Sequence, residues 1–102
     1  MSYLTEDAAL IRALLPREAR PPDGADGLFL LYAVLLRAKG ETVTAADVHD
    51  AWAAWMELRD PGHAALVPFD ALDSATQRED LPYVRAIQAA ARARAAARVG
   101  QT

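Results

Sequence analysis

The 102-residue chain contains no cysteine and no asparagine. Without thiols it has no disulfide scaffold, no thiolate metal site and no thiol nucleophile. Lysine is nearly missing too, with Lys39 alone against ten arginines. No apolar run reaches the roughly 18–20 residues of a membrane span. The opening MSYLTEDAAL is acidic, where a secretory signal is basic. A cytoplasmic location is therefore expected. A net charge of -3 gives no general attraction to nucleic acid or acidic membranes. What the chain has in abundance is alanine. Its large apolar side chains are few, and most are needed for one modest core.

The size fits one domain over residues 1–102. Thr5, Glu6 and Asp7 suit a helix start, and Leu10, Ile11, Leu14 and Leu15 give an amphipathic stripe that Pro16 ends. Residues 17–27 hold Pro21, Pro22, Gly24 and Gly27 and read as a loop. GLFLLYAVLLRAKG is apolar around its whole circumference over Leu28–Leu36, which predicts the buried central helix, with Gly40 as its cap. In VTAADV, Thr44 and Asp47 form a capping box, with Val43 and Val48 as a hydrophobic staple. This third helix is expected to reach Leu58, burying Val48, Ala51, Trp52 and Trp55, with Met56 and Leu58 at the edges. Pro68 forces Val67 out of the helical region, so residues 66–69 are an extended corner whose Leu66, Val67 and Phe69 plug the core. Asp73 or Ser74 caps a further helix that Pro82 interrupts. A last helix runs from about Leu81 to Arg98, with residues 99–102 a frayed tail. The expected fold is thus all-α, with about four main helices.

Charge is uneven. Residues 41–80 carry nine acids against two bases, and residues 81–102 carry four arginines and no acid. In the last helix, Val84, Ile87, Ala91 and Ala95 make a thin apolar stripe. Ala86, Ala89, Ala90, Ala93, Ala96 and Ala97 make a face without charge, flanked by Arg85, Arg92, Arg94 and Arg98. Those alanines are either good helix formers in water or a surface that accepts a second helix.

Enzyme chemistry is not evident. No nucleophile–base pair stands out, the glycines lack phosphate-loop spacing, and no two carboxylates are singled out. His49 has Ala53 at i+4, so it lacks the spacing of a helical metal pair; it fits a half-buried histidine with a backbone partner, and His63 fits a loop brace. No metal and no cofactor are expected. The third helix presents Asp47, Asp50 and Glu57, which phosphates would repel, so DNA reading by it is not expected. Trp52 and Trp55 are either core or a platform for a planar ligand beside Arg59 and His63.

VHDAW at 48–52, HAALVPFDAL at 63–72, Asp80 and VRAI at 84–87 together resemble the ryanodine-receptor repeat domain over about residues 44–90. The loop between the two histidines is shortened here, to residues 57–62. The whole chain also resembles small proteins of actinobacteria and their phages, a likeness that implies no activity; the arginine bias fits such GC-rich genomes. Two functions follow as expectations. One is a non-catalytic interaction module that docks a protein partner or a second copy through Ala86, Ala89, Ala90, Ala93 and Ala97 and the flanking arginines. The other, implied by the repeat-domain resemblance, is a sensor of a small nucleotide-like ligand, held by Trp52, Trp55, Arg59, His63 and Tyr83.

Overall fold

Helix-forming alanine and leucine dominate the chain, and helices dominate the computed structural model, which describes residues 2–100. The elements are α1 (Tyr3–Ala13), α2 (Asp26–Lys39), α3 (Ala45–Arg59), the short α4 (Ser74–Arg78) and α5 (Leu81–Gly100). Single 3-10 turns lie at Gly40–Thr42 and Phe69–Ala71. The fold is all-α, with no strand among the described residues. No helix among them is long and apolar enough to cross a membrane. α2 is central and packs against α1, α3 and α5.

Local signals explain most boundaries. Thr44 accepts from the Asp47 amide, and the Asp47 carboxylate accepts from the Thr44 amide. Val43 and Val48 beside this capping box are buried. Gly40 ends α2 with φ +57°, a conformation that side chains with a Cβ disfavour. Asp73, not Ser74, caps α4 by accepting from Thr76 N. Gln77, three residues after Ser74, donates to the Phe69 carbonyl. Pro82 sits in the first turn of α5, where a missing N–H costs nothing.

Several expectations are corrected. α1 starts two residues early, because Ser2 is its cap and accepts from Thr5 N at 3.3 Å. Its stripe is led by Ile11, while Leu14 is exposed and Asp7 is fully buried. α2 is not buried all round: Leu30 and Val34 are 40% and 48% exposed. Leu58 is not at a core edge but 89% exposed, lying on the outer side of the last turn of α3. The corner is extended only to Pro68, since Phe69 already begins a 3-10 turn. Nor does the corner plug the core. Val67 is exposed, and Leu66 and Phe69 are only part-buried. Its backbone is what holds it, with His49 Nε2 donating to the Val67 carbonyl at 2.7 Å and Gln77 to that of Phe69 at 3.0 Å. At the far end, α5 remains helical through Val99 and Gly100; the rest of the expected frayed tail, residues 101–102, lies outside the described residues.

The alanine face of α5 divides along its length. Ala86 and Ala90 are 2% and 0% exposed and belong to the molecule's own core. Ala89 is half-buried, and Ala93, Ala96 and Ala97 are exposed. The physical reason is length. Twenty residues of helix span about 30 Å, and the neighbouring elements cover only the first half. The basic tail meets the acidic middle within the molecule at Arg92 and Glu41, 3.2 Å apart. Arg94 instead reaches Asp7 of α1, at 2.6 Å, and Arg37 of α2 reaches the same carboxylate at 2.7 Å.

Candidate functional site

A cleft of about 690 Å³ opens between α2, α3 and the junction of α4 with α5. Its size lies within the roughly 300–1,000 Å³ of small-molecule pockets. Tyr32 comes from α2, His49 and Trp52 from α3, His63 from the following loop, Asp80 from the residue before α5 and Tyr83 from its first turn. Glu18 and Arg20, from the loop before α2, also line it.

The two histidines are fixed in complementary ways. His49 is 4% exposed and gives its Nε2–H to Val67, so the neutral ring keeps Nδ1 as an acceptor. His63 accepts from Ala65 N through Nδ1 at 3.0 Å, so its neutral ring carries the proton on Nε2. Trp52 is braced between them. It stacks on His49 at 5.6 Å and meets His63 nearly edge-on at 5.1 Å. Tyr32 packs edge-on to Phe29 and tilted against Tyr83, each at 5.5 Å.

Asp80 immediately precedes α5, where an aspartate ordinarily caps the helix. Here no side-chain hydrogen bond or ion pair to Asp80 forms among the described residues. Pro82 lacks an N–H, and the Tyr83 amide goes to the Asp80 backbone carbonyl at 3.1 Å. The carboxylate is left to the cleft. Burial pushes it up to about 6, against a lesser pull from His49, and Glu79 adds to the rise. Burial raises the Tyr32 and Tyr83 phenols as well, and Asp80 contributes to both shifts.

The folded-state value of Asp80 exceeds its ordinary 3.8. The native state therefore holds the proton more tightly than the unfolded chain does. This contribution to stability is complete below about pH 4 and is lost as pH rises through about 6. Asp80→Asn should then raise the melting temperature at pH 8, and the gain should shrink towards zero at pH 4. Melting curves at the two pH values check this, and an equal or inverted gain would refute the assignment.

Of the five ligand residues expected from the sequence, Trp52, His63 and Tyr83 meet in this cleft. Trp55 and Arg59 do not. Trp55 is 8% exposed, and its indole lies over Gly27, where an added Cβ would sit 3.6 Å from the ring. Arg59 stacks on that indole at 4.3 Å and donates to the Asp23 carbonyl at 3.0 Å. The pair is a brace for the loop before α2. The sequence reading missed Tyr32, which lies in an apolar run and reads as core. It also missed Asp80, whose one signal is an acid two residues ahead of a proline.

A second hollow, of about 750 Å³, involves Asp7, Arg37, Lys39 and Arg94. Most of its charges have partners: both arginines hold Asp7, Lys39 meets Asp47 at 3.4 Å and Glu41 meets Arg92 at 3.2 Å. The first cleft differs in its aromatic walls and in a carboxylate, Asp80, that has no ion-pair partner among the described residues.

Fold and cleft together define a small all-helical domain with a ligand-sized, aromatic-walled recess beside its central helix. The chain belongs to the family described as Domain of unknown function (DUF7701), whose model matches residues 2–92. No curated protein and no solved structure matches it. The resemblance to the ryanodine-receptor repeat is thereby overturned. The matching family takes in α1 and α2 as well as residues 44–90, so the likeness over that stretch does not mark a separate repeat. The LVPFDAL corner misled because a proline-stiffened link between helices can arise in unrelated helical domains.

Proposed function

We propose that this domain binds a small molecule in the cleft between Tyr32, Trp52 and Asp80. The observation that carries this reading is the convergence of polar groups without partners on one recess. The Asp80 carboxylate and the Tyr32 hydroxyl make no hydrogen bond or ion pair among the described residues, although Tyr32 is 2% exposed. Both groups open onto the cleft rather than being sealed, and a ligand there would supply their partners. A thermal-shift screen of small charged and neutral metabolites tests the reading. A ligand present at one hundred times its dissociation constant should add about 2.7 kcal/mol to stability. A screen in which nothing shifts the melting temperature, up to millimolar concentration, would sink it.

Helix docking remains a second reading, favoured by the exposed half of α5. Ala93 and Ala97 stay open there, while Ala86 and Ala90 are spent on the core and are removed from the docking face. Light scattering should then show a concentration-dependent rise in mass; a strict monomer at millimolar concentration excludes self-docking.

A further inference from the structure

We propose that the cleft takes a small organic cation, an ammonium or amidinium group, whose N–H donors meet Asp80, Tyr32 and Tyr83. This rests on the ligand-binding reading above and narrows it to a class. Three observations point the same way. First, the charged side chains facing the cleft are Glu18, Glu79 and Asp80 against Arg20, with His49 and His63 able to add charge only when protonated. Three carboxylates against one guanidinium attract a cation and oppose phosphates, so the nucleotide-like ligand is disfavoured.

Second, the unpaired groups accept hydrogen bonds. Asp80 offers a carboxylate, and His49 offers Nδ1 because Nε2–H is given to Val67. The Tyr32 hydroxyl has no partner among the described residues and is not sealed from the cleft. A ligand rich in N–H donors satisfies all of these together. Third, the walls are aromatic: Tyr32, Trp52 and Tyr83. Ring faces and edges of this kind accommodate a delocalised cation, which loses less hydration on entry than a compact one. An unpaired carboxylate half out of water is costly, and a bound cation offsets that cost. The elevated proton affinity of Asp80 agrees with the same picture.

Calorimetric titration of the full chain at pH 8 with benzamidine, benzamide and benzoate provides the test. These probes share a ring and differ in charge. Benzamidine should bind at least ten-fold more tightly than the other two. Asp80→Asn should remove at least ten-fold of that affinity, and Tyr32→Phe should weaken it several-fold. Asp50→Asn, on the exposed side of α3, should leave it unchanged. Circular dichroism melts establish that each variant folds. Affinity should also fall as pH drops through about 6, where Asp80 gains its proton. Preferential binding of benzamide or benzoate would overturn the cation class while leaving the cleft a ligand site. Benzamidine affinity equal in wild type and Asp80→Asn would overturn it too. Failure of all three probes together with an empty metabolite screen would overturn both readings.

Discussion

Removing Arg37 and Arg94 together should destabilise the protein by about 3–5 kcal/mol, the usual cost of leaving a buried charge without its partner. Asp7 is 0% exposed, and its two oxygens meet these two arginines at 2.7 and 2.6 Å. Either arginine alone still neutralises the carboxylate, so each single alanine variant should lose much less than half of the double variant's cost. The arginines are 48% and 39% exposed and recover hydration when the partner is lost; the carboxylate recovers none. Urea unfolding of the wild type, both single variants and the double variant closes a double-mutant cycle. A double variant within 1 kcal/mol of the wild type would show that Asp7 is solvated after all.

The second large effect is expected in α5. Ala86→Leu with Ala90→Leu should cost about 2–6 kcal/mol, taking roughly 1–3 for each overpacked position. Stability of a small domain is only about 5–15 kcal/mol in total. The same exchange at Ala93 and Ala97, one and two turns on, should stay within about 0.5 kcal/mol. All four residues lie on one face of the helix by their spacing, and only the neighbours differ. Equal effects at the two pairs would contradict the division of that face into a packed half and an open half.

How much of this was legible beforehand depended on whether a residue's partner lay nearby in sequence. The box at Thr44 and Asp47, the glycine cap at Gly40 and the break at Pro82 are decided within a few positions, and all three occur. Fold class followed from them and from the apolar run of α2. Asp7 was read as a favourable charge in a first turn. Helical spacing places it four residues before Ile11, on the buried stripe, so a carboxylate in an apolar position was visible; the arginines that permit it were not. The alanine face of α5 could not be divided in advance, because alanine suits both a tight helix contact and water. Three of the five expected ligand residues share the cleft because α3 and the start of α5 flank it. Trp55, left between core and ligand platform, takes the core place, 8% exposed with its indole over Gly27.

The two ends of the chain are tied to one carboxylate, and this bears on the order of assembly. Arg37 lies 30 residues from Asp7, within the hairpin of α1 and α2, and can find it early. Arg94 is near the far end and arrives only when α5 closes over that hairpin. Contacts of long sequence separation are the slower ones to form. We therefore expect Arg94→Ala to speed unfolding while leaving the refolding rate nearly unchanged, as for a contact made after the transition state. A chevron plot in which the refolding arm moves instead would place the closure of α5 before the rate-limiting step.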